Sequence, residues 1–217
     1  MRKTVKTRTY SSPRREAQAR ETRRAILRAA THLFRERGYP RTTIAAIAEE
    51  AGVSADTVYK TFGTKPALLK EVMDVAIGGD DEEVRLLDRP KPQQIMAETD
   101  QRRGLALFAA DISAQTARVR PVDDMLVSAS HVDPAARELR DDLHHRQRRE
   151  AMTAVLGWLG RNGPLASDRD EGAATLWVLT SPEVHRLLRD GWGWDEQRYA
   201  AWLRTMLERT LLPPESR

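Results

Sequence analysis

The stretch "AGVSADTVYKTFGTK", residues 51–65, combines signals that end one helix with signals that start the next. Gly52 can adopt the left-handed turn that ends a helix without steric cost. Ser54 can cap the following helix, because its hydroxyl can accept a backbone N–H of the first turn. Val58 and Phe62 lie four residues apart and share the inner face of that short helix. The remaining side chains of this helix are therefore expected to point outward.

The flanking residues predict two further helices before this stretch and one after it. The first carries an apolar stripe and stops at Gly38, and Pro40 supports the stop. The second is short and is capped by Thr42 or Thr43, and Thr64 caps the helix that follows the quoted stretch. The inward positions of the first two helices are Ile26, Ala30, Leu33, Phe34, Ile44, Ile47 and Ala48.

Two short helices joined by a tight turn and braced by a third form a helix-turn-helix, whose second helix fits the DNA major groove. A helix that takes its stability from packing can use its outer face for contacts. Its outward Thr57, Tyr59, Lys60 and Thr61 are residue types that donate to phosphates and base edges. Lys65 lies beside the free N–H groups of the next helix and suits a phosphate. The alternative is that these are ordinary surface residues of a small bundle.

The charge distribution supports a polyanion partner for this end of the chain. Residues 1–65 hold fifteen Lys or Arg and six Asp or Glu, whereas residues 66–217 hold twenty-one and twenty-six. The first 24 residues hold nine basic and two acidic residues, which is typical of an arm that contacts DNA. We therefore predict a basic disordered arm over residues 1–19 and a DNA-binding domain over 20–76. A solvated tail without a partner is the alternative for the arm.

The segment "TTIAAIAEEAGVSADTVYKTFGTKPALL", residues 42–69, closely resembles the DNA-binding signature of the TetR family of transcriptional regulators. The preceding "RRAILRAATHLFRERGY", residues 23–39, resembles the helix that braces it. The resemblance is specific over about residues 20–75 and continues beyond them only as an all-helical pattern. It implies an all-α fold with an N-terminal three-helix DNA-binding domain and a larger helical domain for ligand binding and dimerisation.

The resemblance also implies roles for residues that match the family's motif. Tyr59, Lys65 and Thr43 correspond to positions that contact the DNA backbone, and Phe62 corresponds to an aromatic residue that packs inside. Family members differ from one another along the outer face of the recognition helix, where base choice would lie. The predicted DNA-binding set is therefore Thr43, Ser54, Ala55, Asp56, Thr57, Tyr59, Lys60, Thr61 and Lys65.

Asp56 departs from the small residue that many family members carry at this position. A carboxylate near phosphates is repelled, but it can accept a hydrogen bond from a cytosine amino group. It can also stabilise the positive end of the helix without touching DNA. The second role is the favoured one.

Composition excludes several other function classes. The chain has no Cys, which excludes disulfides and Cys-based metal sites and fits a reducing, cytoplasmic setting. It contains no apolar run long enough to span a membrane, so no membrane partner is expected. No nucleophile motif or phosphate-binding loop is present, and we expect neither an enzyme nor a cofactor. Asp141, His144 and His145 have a spacing that could hold a metal, but their charged surroundings favour a solvated face.

Residues 77–217 predict a second helical domain that follows a Gly-, acid- and Pro-containing boundary at 77–94. Helices are expected near residues 99–119, 121–131, 134–160, 168–189 and 195–212, with a break at Pro121. The resemblance implies that this domain binds an unknown small-molecule effector and forms a homodimer through its last two helices.

Two sets of apolar residues are candidates for these roles. Packing in the domain's own core is the default interpretation for any single residue of the first set and the alternative for the second set. The candidate cavity lining is Leu105, Phe108, Ile112, Met125, Val155, Trp158 and Trp177. The candidate dimer interface is Leu187, Leu188, Trp202, Met206 and Leu207.

The sequence thus favours a dimeric repressor that a small molecule releases from a palindromic operator in double-stranded DNA. A dimeric helical DNA-binding protein without an effector is the alternative. An enzyme or carrier with an incidental N-terminal module is the third and weakest reading.

Overall fold

The structure, a computed structural model, describes residues 13–82, 84 and 86–214. This part of the chain is helical and contains no strand, which confirms the predicted all-α class. The N-terminal helices are α1 (Pro13–Arg37), α2 (Ile44–Ala51), α3 (Ala55–Phe62) and α4 (Lys65–Gly78). The others are α5 (Pro90–Met96), α6 (Gln101–Ser130), α7 (Pro134–Asp141), α8 (Arg148–Arg161), α9 (Arg169–Leu179), α10 (Pro182–Arg186) and α11 (Glu196–Leu211).

Local capping explains where the N-terminal helices begin and end. The hydroxyls of Thr43, Ser54 and Thr64 each accept a backbone N–H from the first turn of α2, α3 and α4. Gly52 ends α2 at φ 67°, a left-handed conformation that is costly for residues with a Cβ. The predicted turn between α2 and α3 is therefore present, with both caps formed.

Two apolar cores organise the helices. The first joins α1 to α4 with the C-terminal half of α6, where Val122 and Leu126 are buried. The second joins α5, the N-terminal half of α6, α8, α9 and α11. Because α6 contributes to both cores, the first core extends beyond the expected domain boundary at residue 76. A shift of α6 would therefore be felt by both halves of the molecule.

Several predicted boundaries are wrong. α1 begins at Pro13, so residues 13–19 of the expected disordered arm are helical, and residues 1–12 lie outside the described residues. α6 runs through Pro121, because the buried residues on either side anchor the helix even though Pro cannot donate a hydrogen bond. The boundary segment 77–94 includes the start of α5, one helix more than expected. Among the described residues, no helix combines the length and apolarity needed to cross a bilayer.

Two π-helical turns interrupt the longer predicted helices. Residues Asp142–Gln147 separate α7 from α8, and Leu187–Gly191 follow α10. A π turn adds a residue to the helical repeat and changes which side chains face inward. The α-helical spacing read from the sequence therefore fails in these two segments.

Candidate nucleic-acid interface and cavity

The recognition helix α3 is fixed by two buried side chains and exposes the rest. Val58 is fully buried and Phe62 nearly so. Tyr59 is 54% exposed, an unusual value for a tyrosine in a packed bundle. Lys60 and Thr61 are also exposed. The arrangement leaves the predicted contact residues on the free face of a helix that is otherwise anchored.

The hydroxyls of α3 are partly committed to local bonds. Ser54 Oγ lies 2.8 Å from Thr57 Oγ1 and also caps the helix. Thr61 Oγ1 donates to the Thr57 carbonyl at 2.7 Å. Thr57 is half-buried, as is Ala55, whereas Asp56 is exposed in the first turn. Within the described residues, the Tyr59 hydroxyl and the Lys60 ammonium have no protein partner, so both are available to an external one.

α1 braces α3 through a residue of the basic N-terminal stretch. Arg23 places its guanidinium carbon 5.2 Å from the centre of the Phe62 ring. The same side chain forms a 2.5 Å ion pair with Glu71 of α4. Arg24 similarly pairs with Asp81 at 2.6 Å. These two arginines are therefore engaged within the chain and are not free contributions to a DNA-contacting arm.

Lys65 takes part in a contact that the sequence did not reveal. Its ammonium lies 4.0 Å from the centre of the Tyr39 ring, a cation–π geometry. The buried Tyr39 donates its hydroxyl proton to Asp133 at 2.8 Å, and Asp133 also caps α7. Burial lowers the pKa of Lys65, although Asp133 opposes this effect. Burial and the bond to Asp133 raise the pKa of the Tyr39 hydroxyl. Lys65 therefore sits at a junction between α4 and α7.

A cavity of about 1070 Å³ opens beside the C-terminal end of α4 and extends between α6 and α8. Of the seven predicted lining residues, only Ile112 lines it. Leu105, Phe108, Val155, Trp158 and Trp177 belong to the second core, and Met125 belongs to the first. For these six the structure agrees with packing in a core, the default interpretation of each, and their assignment to a ligand site stays a prediction. Helical spacing identifies inward positions without separating a core from a cavity.

A buried charged cluster forms one end of the cavity. His144 Nε2 lies 2.6 Å from Asp123 Oδ1, and His144 Nδ1 lies 3.6 Å from Glu183 Oε1. Burial opposes the charged imidazole, but the two carboxylates outweigh it and raise the pKa of His144 to about 9. The contact with His144 lowers the pKa of Glu183 to about 2. His144 is therefore a buried cation, and the solvated face expected for it is wrong.

His145 and Asp141 remain exposed, as expected, with 4.0 Å between their nearest charged atoms. The π turn directs His144 inward while its neighbour stays outside. Within the described ranges, no group of three His, Cys, Asp or Glu side chains could hold a metal ion. His144 is used as an ion-pair partner.

The candidate dimer residues differ in exposure. Leu187 is 65% exposed, and the neighbouring Trp192 is 76% exposed. Leu188, Trp202 and Met206 are half-buried, and the first two pack against the second core. Leu207 is fully buried in that core, which agrees with the alternative of packing within its own domain. The exposed apolar surface here is centred on Leu187 and Trp192.

Comparison with known proteins supports the same assignment as the geometry. A model of bacterial regulatory proteins of the tetR family matches residues 26–72. The HTH-type transcriptional regulator TtgR of Pseudomonas putida is 43% identical over 61 residues. That alignment covers 28% of this chain and only 29% of TtgR. The HTH-type transcriptional regulator CymR of Pseudomonas putida is 26% identical over 200 residues, covering 91% of this chain and 94% of CymR.

Solved structures extend the likeness of fold to nearly the whole chain. NalD, described as the secondary repressor of the MexAB-OprM multidrug efflux pump in Pseudomonas aeruginosa, aligns with a TM-score of 0.67 at 22% identity. The alignment covers 90% of this chain and 97% of NalD. A transcriptional regulator from Saccharomonospora viridis, solved in complex with choline, aligns with a TM-score of 0.64 at 21% identity, covering 90% of this chain and 100% of that one. The matched family model and the regulators that share this segment show that residues 26–72 form a DNA-binding domain of the TetR family of transcriptional regulators, and the all-helical fold is shared over nearly the whole chain.

Proposed function

We propose that the chain is a dimeric transcriptional repressor that binds a near-palindromic operator through α3 and leaves it when a small-molecule effector fills the cavity. The observation that carries the proposal is the free outer face of α3. This face presents Tyr59 and Lys60 without protein partners among the described residues, while the buried Val58 and Phe62 hold the helix in place.

The DNA contacts divide into positioning and reading. Tyr59 can donate its hydroxyl to a phosphate, and Thr43 can donate its hydroxyl while accepting the capping N–H of Ala46. Lys60 can donate to base edges in the major groove, and Thr57 can contribute its methyl group. The Lys65 ammonium lies against the Tyr39 ring and would have to contact a phosphate from that position. The phosphate contacts of Tyr59, Thr43 and Lys65 would set affinity. The base contacts of Lys60 and Thr57 would set sequence preference.

A dimer follows from the needs of recognition and from the exposed apolar surface. One short helix reads only a few base pairs, so useful specificity requires two copies at a fixed separation. Exposed large apolar side chains such as Leu187 and Trp192 are typical of interaction surfaces. A two-fold pairing of this surface would place two α3 helices on the half-sites of a palindrome.

The cavity supplies a route from effector to operator. α4 carries Lys65 at its first residue and contributes Val75, Ile77 and Gly78 to the cavity wall at its other end. A ligand that binds better when α4 is displaced would favour the DNA-incompetent arrangement. The cavity is the feature that favours this reading over a DNA-binding protein without an effector.

The test begins with DNA fragments that the protein selects from genomic DNA, followed by fluorescence anisotropy on the enriched site. Tyr59→Phe should weaken binding to all duplexes similarly, whereas Lys60→Ala should change sequence preference by roughly 1–3 kcal/mol per lost base contact. The control is Lys91→Ala on α5, which removes one positive charge as Lys60→Ala does but lies outside α3. It should leave DNA binding unchanged. Unaltered operator affinity in a Tyr59→Phe, Lys65→Ala double variant at moderate salt would refute the assignment.

A further inference from the structure

The cavity wall contains a cation that lacks a carboxylate partner among the described residues. Arg148, in the first turn of α8, lines the cavity and is partly buried. The other positively charged groups of the wall are neutralised. Their ion pairs are Arg23–Glu71, Arg89–Asp80, Arg146–Asp142 and His144–Asp123. A guanidinium removed from water without a counter-ion costs free energy unless something else compensates it.

Two neutral acceptors bind Nη2 of the Arg148 guanidinium. Nη2 donates to the Trp177 carbonyl at 2.5 Å and to Thr180 Oγ1 at 2.8 Å. The guanidinium carbon also lies 5.7 Å from the centre of the Trp177 ring. Nε and Nη1 have no acceptor within the described part of the chain. The side chain is thus oriented by its surroundings, with N–H donors left over on Nε and on Nη1.

The electrostatic surroundings of Arg148 agree with an unbalanced charge. Burial lowers the pKa of Arg148 to about 10, and the more distant Glu183 and Asp123 only partly oppose the effect. The carboxylate of Asp123 is already matched by His144 at 2.6 Å and by Arg186 at 3.6 Å. The wall therefore lacks a counter-ion in contact with Arg148, while Asp123 is paired through Oδ1 and keeps a buried Oδ2 without a hydrogen bond among the described residues.

Most of the wall surface is apolar, although acidic side chains outnumber basic ones among the lining residues. One turn further along α8, Ala151 and Met152 line the cavity, and α6 contributes Ile112 and Val119 from the facing side. α4 adds Val75 and other apolar groups at its C-terminal end. A space lined this way suits a hydrophobic ligand body that carries one oriented polar group.

We propose that the cavity binds an amphipathic organic acid, whose carboxylate accepts a hydrogen bond from Nη1 of Arg148 and whose apolar body lies between α4, α6 and α8. A hydrogen bond from a charged guanidinium N–H to a carboxylate oxygen is roughly twice as strong as one between neutral groups. Asp123 and Glu183 lie close enough to repel a second negative charge, so a monoanion is preferred over a phosphate ester dianion. The role of this acid as the effector rests on the proposed function, but its binding does not.

Binding is tested on the full chain without DNA by isothermal titration calorimetry and thermal shift. The probes are octanoate and 4-phenylbutyrate, each compared with its primary amide, and octylamine as the cationic counterpart. At least one of the carboxylates should bind at least about tenfold more tightly than its amide and than the amine, since a hydrogen bond to a charged group contributes about this factor. Equal binding of acid and amide, tighter binding of the amine, or no binding of either acid would overturn the proposal.

Variants locate the site. Arg148→Gln should weaken carboxylate binding about 10- to 100-fold and Arg148→Lys by less, because lysine keeps the charge but not the fixed positions of the guanidinium donors. Arg149→Gln removes a charge from the exposed neighbouring position and should bind as the wild type does. Equal affinity in Arg148→Gln and Arg149→Gln would overturn the proposal. If Arg148→Gln fails to fold, Arg148→Lys and the comparison of acid with amide on the wild type still decide.

The same carboxylate is then added to the operator complex. Release of the operator would support both the site and the effector role. Binding without a change in operator affinity would keep the site and contradict the effector part of the proposed function. If the protein binds the operator but does not bind the carboxylates, the DNA-binding assignment stands and this inference is overturned.

Discussion

The buried ion pair between His144 and Asp123 should make the stability of the protein depend on pH. His144 lies in the π turn after α7, its side chain is 11% exposed, and Nε2 is 2.6 Å from Asp123 Oδ1 on α6. Glu183 approaches the other ring nitrogen at 3.6 Å. Arg186 faces the same carboxylate of Asp123 at 3.6 Å. The two carboxylates favour the charged imidazole over the neutral one.

The size of the effect follows from the pKa of His144. Its pKa is raised from 6.5 to about 9 in the folded protein. One pKa unit corresponds to about 1.4 kcal/mol, so the proton contributes about 3 kcal/mol to the free energy of unfolding. Because the folded pKa is the higher one, this contribution is fully present below pH 6.5. It is lost as the pH rises through 9.

The assay is urea unfolding followed by circular dichroism, repeated at steps between pH 6 and pH 9.5. The free energy of unfolding of the wild type should fall by about 3 kcal/mol across this range. His144→Gln removes the titrating group and should lack this fall. His145→Gln changes the exposed neighbour and should follow the wild type.

Asp123→Asn tests whether the charge of Asp123 is what raises the pKa of His144. It keeps the size of the side chain but removes the charge that raises the pKa of His144. If the difference between wild type and His144→Gln were flat from pH 6.5 to 9.5, the ion pair would not carry the stabilisation inferred from the geometry. A steep dependence that persists in Asp123→Asn would contradict the assigned partner.

Three further outcomes are expected. Gly52→Ala should lower the free energy of unfolding by about 1 kcal/mol in urea titrations, because the φ of Gly52 is +67°. A Cβ at this position would meet no atom within 4 Å, so the cost comes from the backbone conformation alone. Removing residues 2–12, which include four basic residues, should reduce the slope of log affinity against log salt on operator DNA, and an unchanged slope would count against a DNA-contacting arm. Leu187→Glu should convert a dimer into a monomer in light scattering during size exclusion, whereas a wild type of 24.6 kDa at micromolar concentration would contradict the dimer itself.

The sequence alone predicted the features that depend on neighbours in the chain. Thr43, Ser54 and Thr64 cap the helices expected of them, and Gly52 forms the left-handed turn. Asp133 caps α7, which agrees with the helix expected to start at residue 134. Capping and turn formation involve atoms only a few residues apart, so residue type and spacing suffice to predict them.

The exposed face of α3 was also predictable, because an inward pair at the helical repeat determines which residues remain outside. Val58 and Phe62 are buried, and Tyr59 and Lys60 are exposed. The helical repeat shows which side of a helix a residue lies on. It does not show whether that side faces a core, a cavity or a second copy of the chain. Leu207 was predicted to face a second copy of the chain and Leu105 a cavity, yet both lie in the second core.

Only the tertiary structure decided which distant residues meet. Lys65 lies over Tyr39, Arg23 joins Phe62 to Glu71, and Asp123 holds a histidine 21 residues further along the chain. The π turn directs that histidine inward, which the α-helical spacing of the sequence could not show. Arg148 was one of many arginines in a charged segment until folding placed it beside Trp177 without a counter-ion among the described residues. Burial and charge pairing are set by packing between helices far apart in the chain, so a local pattern can name the residue types present but not the environment that gives them a role.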